Sequence, residues 1–121
     1  MTSPSAQLRT FLDEGRKVTA VNYLAAVDEV RHYKAALSEI FDLFDAIITP
    51  ATIGVAPKGL SATGDPAFCS LWTLVGLPAL SLPILQGDDD MPLGVQLIGA
   101  AGRDGRLLRT ANWLLKKLEE G

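Results

Sequence analysis

The chain has 121 residues, 48% hydrophobic and 21% charged, a balance that describes a folding chain and excludes a disordered one. That length suits a single domain spanning 1–121 around one core. The net charge of −3 supplies no basic field for phosphates, which excludes nucleic acid as a direct ligand.

A cap at Ser3 or Ser5 opens a first short helix through Leu8, Phe11 and Leu12, closed at Gly15. After Thr19, a second cap, Leu24, Val27, Val30, Leu37, Phe41 and Phe44 recur at helical spacing, and no Pro or Gly intervenes before Pro50. The spacing predicts one long helix that buries this stripe and wets Asp28, Arg31, His32, Glu39 and Asp42. Ala46 to Thr49, with the β-branched pair Ile47 and Ile48, reads as a short buried strand stopped by Pro50. From Pro50 to Pro66, Gly54, Pro57, Gly59 and Gly64 break any regular structure, and so long an irregular stretch in a compact domain is usually functional or mobile.

Ala67 to Val75 is predicted to form a short helix ending before Gly76. Ala79 to Leu85 and Leu93 to Gly99 read as strands joined by the polar turn Gln86-Gly87-Asp88-Asp89-Asp90-Met91, an antiparallel hairpin. In the second of them Leu93, Val95 and Leu97 alternate with Gly94, Gln96 and Ile98, so both faces are largely apolar and each needs a cover. A closing helix starts near Asp104, with Leu107, Leu108, Ala111, Leu114, Leu115 and Leu118 inward and Lys116 and Lys117 near its C-terminal dipole. The longest apolar stretch, Leu71 to Leu85, is broken by Gly76, Pro78 and Pro83 and reads as core, not as a membrane span. The single cysteine, Cys69, has no internal partner and no charged-then-apolar leader opens the chain, so the expected location is the cytoplasm.

His32 falls on the polar side of the long helix and reads as solvated, not as part of a Ser-His-Asp set. One His and one Cys lack metal-ligand spacing, and Asp88 to Asp90, consecutive instead of alternating, reads as a solvated turn and not a calcium loop. Gly99, Gly102 and Gly105 stand between a strand and a helix but lack the phosphate-loop Lys, and Asp104 would oppose a phosphate; they read as a tight turn. No catalytic residue, metal or cofactor is assigned.

The segments Thr19-Ala20-Val21-Asn22-Tyr23-Leu24-Ala25-Ala26, Asp45-Ala46-Ile47-Ile48-Thr49-Pro50, Thr63 to Thr73, Gly76 to Pro83 and Met91 to Gly99, in this order, resemble the closing motifs of amidase-signature enzymes. The resemblance covers nearly the whole chain. It implies an α/β fold, the C-terminal part of a mixed sheet covered by helices on both sides, here with a long N-terminal helix, short strands including a hairpin, and a closing helix. It also implies hydrolysis of amide carbon–nitrogen bonds by a Ser nucleophile, a second Ser with a cis peptide, and a Lys base.

In the family that catalytic set lies upstream of the region matched. No Gly-Ser-Ser-rich stretch occurs among the 121 residues, and Lys17, Lys34, Lys58, Lys116 and Lys117 have no counterpart role. By resemblance, the loop after Thr49-Pro50 and the short helix after it border the acyl side of the substrate pocket, which makes Thr49, Pro50, Asp65, Phe68 and Trp72 the candidate substrate-binding residues. Phe68 and Trp72, four apart, alternatively pack as helix core. Cys69 stands where many relatives carry Asn.

The leading functional reading is the part of an amide hydrolase that lacks the catalytic set. Alternatives are a small subunit completing a split amidase, and a non-catalytic binding or oligomerisation module. Expected partners are the missing catalytic N-terminal half or a catalytic subunit encoded separately. Another copy of the chain is expected as well, because uncovered apolar strand faces favour self-association.

Overall fold

The structure is a computed structural model and describes residues 5–120. The chain divides into two compact units, Met1–Tyr33 and Lys34–Gly121. In the first, α1 (Ala6–Arg16) is capped by Ser5, whose hydroxyl accepts from the Leu8 N–H at 3.2 Å; Ser3, the other expected cap, lies outside the described residues. Gly15 does not close this helix. It keeps helical geometry, and the turn ends at Lys17, whose N–H donates to the Glu14 carbonyl while that of Val18 donates to the Gly15 carbonyl. Thr19 caps α2 (Ala20–Leu43) as expected, its hydroxyl accepting from the Asn22 N–H at 3.2 Å and its carbonyl from the Tyr23 N–H at 3.0 Å.

The apolar stripe of α2 is buried less than its periodicity predicts. Leu24 and Val27 are 64% and 39% exposed, Val30 and Leu37 are half-buried, and Phe41 alone is buried. The first unit holds only α1 and the start of α2, too little apolar surface to enclose a stripe.

The second unit is built on a three-stranded antiparallel sheet in the order β1-β3-β2, with β1 (Ile47–Pro50), β2 (Ala79–Gln86) and β3 (Pro92–Ile98). The predicted hairpin is β2–β3, joined by a tight turn, Asp88–Asp90, in which Asp89 and Asp90 are left-handed at φ 56° and 57°. β3 is central, so β1 is an edge strand and Ile48 is 59% exposed, not buried as its β-branched run suggests. In β2 the register shifts between Leu82 and Leu85. Pro83, which has no N–H to donate, occupies that irregularity, as an edge strand permits.

The register sets Ile48, Leu97 and Leu80 in one row across the sheet and Leu82 beside Val95 in the next. Helix α4 (Asp104–Glu120) closes this face: Leu82, Leu97, Leu107 and Ala111 are buried together, flanked by Ala46, Leu80, Ile84, Leu114 and Leu115. Each fully buried leucine here contributes about 1.5–3 kcal/mol relative to exposure. Close approach of α4 requires Gly99, where an added Cβ would lie 3.0 Å from Leu107 Cβ. Two residues expected inward on α4, Leu108 and Leu118, are 58% and 55% exposed. Leu108 sits about 100° around the helix from Leu107 and so leaves the buried face.

Arg106 in the first turns of α4 donates from Nε and Nη2 to Asp45 Oδ1 at 2.7 and 2.6 Å. Both side chains are substantially exposed, so the pair orients the segment before β1 more than it stabilises it. Among the described residues no helix is long and apolar enough to cross a membrane.

Candidate functional site

The opposite face of the sheet carries one of the candidate residues, Thr49. Thr49, Gln96 and Ser81 are register partners across the three strands, a polar row beside the apolar row Ile47, Ile98 and Ala79. Ile98 is fully buried and Gln96 is 4% exposed, the buried polar side chain among the described residues. A glutamine amide placed there must find partners, because an unpaired buried amide costs on the order of 1–3 kcal/mol. Gln96 finds them on two segments: its Nε2 donates to the Pro50 carbonyl at 3.1 Å and to the Phe68 carbonyl at 2.5 Å.

Pro50 and Phe68 are thereby brought together, one at the end of β1 and one in the first turn of α3 (Ala67–Val75). α3 ends as predicted at Gly76, left-handed at φ 68°, whose N–H donates to the Thr73 carbonyl while that of Leu77 donates to the Trp72 carbonyl. Asp65 shapes the helix entry, its carboxylate accepting from the Ala67 N–H at 2.8 Å. The Thr49 hydroxyl donates to the Pro50 carbonyl at 3.1 Å. Phe68 is 36% exposed and Trp72 half-buried.

The loop between β1 and α3 is anchored on the hairpin. The Ala51 N–H donates to the Gly94 carbonyl at 2.9 Å, and the Cys69 thiol donates to the Ala51 carbonyl at 3.5 Å. Val55 packs so closely on Gly87 that a Cβ added there would have to displace the Val55 side chain. At Gly94 an added Cβ would come within 2.6 Å of the Ser81 hydroxyl and 3.0 Å of Ala51 Cβ. Between loop and sheet lies a hollow of about 220 Å³, with Asp65, Ser81 and Gly94 among its lining residues. Of the candidates, Asp65 lines it, Pro50 and Phe68 are joined through Gln96, Thr49 shares the Gln96 row, and Trp72 is reached by no side-chain hydrogen bond.

Gln96 itself was not among the sequence candidates. The available signal is one amide in the otherwise apolar run from Leu93 to Ile98, a position that buries a group with two donors. No group of three or more His, Cys, Asp or Glu side chains is placed to hold a metal ion among the described residues. Three of the lysines are in exposed ion pairs, Lys17 with Glu14, Lys58 with Asp89 and Lys117 with Glu120.

An α/β unit with an antiparallel sheet, one face sealed by a helix and the other fronted by a loop and a short helix, is what the fold and this face define. The chain belongs to the amidase family, which it matches over residues 4–108. To the 6-aminohexanoate-cyclic-dimer hydrolase of Paenarthrobacter ureafaciens it is 31% identical over 115 residues, covering 78% of this chain and 23% of the hydrolase. It is 32% identical over 119 residues to a fatty acid amide hydrolase of Medicago truncatula, covering 88% of this chain and 20% of that protein. A solved amidase matches 94% of this chain and 29% of its own length with a TM-score of 0.76 and 28% identity. The chain therefore spans about a fifth of the length of these curated relatives.

Proposed function

We propose that these residues form the part of an amide carbon–nitrogen hydrolase that supplies sheet and the acyl-side wall of the substrate pocket, while the Ser-Ser-Lys catalytic set comes from outside them. Family membership over residues 4–108 supports the chemistry, and the convergence of Pro50 and Phe68 on Gln96 carries the wall. Thr49, Pro50, Asp65, Phe68 and Trp72 are its substrate-facing candidates, with no nucleophile or base among them. Their role is shape: Phe68 and Trp72 present aromatic surface four residues apart on one helix face, and Thr49 and Asp65 border the loop polar side.

The partner in this reading is a catalytic half, on the same chain or on a separate one, and in its absence another copy of this chain. Large apolar side chains left exposed, among them Leu24, Leu43 and Ile48, support a covering partner. A cytoplasmic setting belongs to the same proposal and is supported by Cys69, a free and exposed thiol.

The test is complementation. The purified chain alone is expected to release no product from simple amides above buffer. Addition of the catalytic half of a family relative, such as the cyclic-dimer hydrolase, is expected to produce turnover. An isolated chain whose turnover disappears on Ser70→Ala or Ser81→Ala would overturn the reading, and so would failure of every complemented assembly. Phe68→Ala in an active assembly is expected to alter relative rates for bulky and small acyl groups by about tenfold, since a lost aromatic contact is worth roughly 1–3 kcal/mol.

A further inference from the structure

The stretch from residue 51 to 66 is long and irregular, yet one side chain holds both of its ends. Pro50 immediately precedes it and Phe68 follows two residues after it, and both carbonyls accept from the same amide, Gln96 Nε2. Gln96 stands on the central strand β3, the most buried strand of the sheet, with Leu97 and Ile98 following it at 3% and 0% exposure. An amide nitrogen has two hydrogens, and both are used here. Neither acceptor depends on Gln96 alone. Pro50 O also receives the Thr49 hydroxyl, and Phe68 O lies within α3, where the helix ladder supplies its ordinary donor. What Gln96 adds is the separation between the two segments.

We propose that Gln96 is a positioning residue: a clamp on the central strand that sets the gap between the Thr49-Pro50 end of β1 and α3, and so the width of the acyl-side wall. This role in selecting acyl size rests on the amide-hydrolase reading above; the clamp itself rests on geometry alone. Gln96 need not touch the substrate. It acts through Pro50, Phe68 and the loop they frame. Methionine at 96 preserves length and apolar packing on the strand and removes both donors, so Gln96→Met separates the clamp from mere filling of space.

Three measurements decide it. In the unsubstituted chain, the side-chain amide hydrogens of Gln96 are expected to exchange with solvent at least about tenfold more slowly than those of exposed Gln7, because both are held by carbonyls in a buried site. Exchange as fast as at Gln7 overturns the clamp, and this arm needs no variant to fold. In Gln96→Met, backbone exchange across residues 51–66 and the first turn of α3 is expected to rise about tenfold, with β3 and α4 within about twofold of the original. Uniform acceleration throughout the second unit would mean that Gln96 is only a core residue.

In the complemented enzyme, Gln96→Met is expected to shift the ratio of kcat/KM for bulky over small acyl amides by about tenfold through KM, with kcat for the smallest substrate within about twofold. An equal fall in kcat for every substrate overturns the role in specificity. Absence of turnover in the unsubstituted assembly removes the amide-hydrolase reading and the specificity role with it, while the two exchange measurements still decide the clamp.

Discussion

On one side of β3, Leu97 lies between Ile48 and Leu80 in the ladder and is covered by Leu107 and Ala111 of α4. On the other, Gln96 lies between Thr49 and Ser81 and reaches out to two backbone carbonyls on separate segments. The first face is closed by area: its side chains are interchangeable in kind, and its stability scales with the apolar surface hidden. The second adds direction to area: Ile98 and Val75 of α3 are buried, and hydrogen bonds of fixed length from Gln96 hold a loop and a short helix whose other side chains are mostly exposed. A family that varies its substrates would be expected to keep the first kind of closure and to adjust what hangs on the second.

The comparison breaks most sharply at Leu97. Leu97→Ala leaves a cavity under α4 and is expected to lower unfolding stability by about 2–5 kcal/mol, read as a fall in the denaturant midpoint with an unchanged slope. If the midpoint barely moves, α4 is not sealing that face. Next comes Gly99→Ala, which drives a Cβ to 3.0 Å from Leu107 Cβ. A cost of about 1–3 kcal/mol is expected, shrinking in a Leu107→Ala background because the two positions share one contact. Additive effects in the double variant would place the strain elsewhere.

On the polar face, Gly94→Ala meets the Ser81 hydroxyl and Ala51 Cβ. The hydroxyl can rotate and the loop can give, so a loss of about 1 kcal/mol is expected, at the low end of the usual range for added core volume. The informative readout is local: hydrogen exchange at Ala51, whose N–H donates to the Gly94 carbonyl, is expected to rise while exchange on the α4 side stays put. Equal acceleration on both sides of β3 would show that the faces do not yield independently.

The closed face was legible in the sequence and the directed one only in outline. The hairpin, α3 and its glycine stop, and the start of α4 follow from alternation, turn residues and 3.6-residue spacing, which are local properties. Partner choice is not local. Nothing in a run such as Leu93 to Ile98 says that Gln96 bonds Pro50 and Phe68, which lie 46 and 28 residues away. The same limit explains α2 and β1. Periodicity identifies which side chains seek cover, but Leu24 and Ile48 stay exposed because burial needs an element to supply it. Thr49, Pro50, Asp65, Phe68 and Trp72 came from family resemblance, and geometry joins Pro50 to Phe68 while leaving Trp72 without a side-chain hydrogen bond.

The smallest expected effect lies where the loop meets the hairpin turn. Lys58 Nζ and Asp89 Oδ2 are 3.3 Å apart with side chains 93% and 74% exposed, so solvent and salt screen the pair. Lys58→Ala is expected to leave the unfolding midpoint within about 0.5 kcal/mol of the original at any salt concentration. Asp89 carries a second property, a left-handed backbone at φ 56°, which Asp and Asn tolerate far better than β-branched residues do. Asp89→Asn removes the charge and keeps that tolerance, and should behave like Lys58→Ala. Asp89→Val removes both and should cost about 1–2 kcal/mol, the penalty for a side chain in that region. Matched losses for Asn and Val, both abolished by high salt, would show instead that the ion pair ties the loop to the turn.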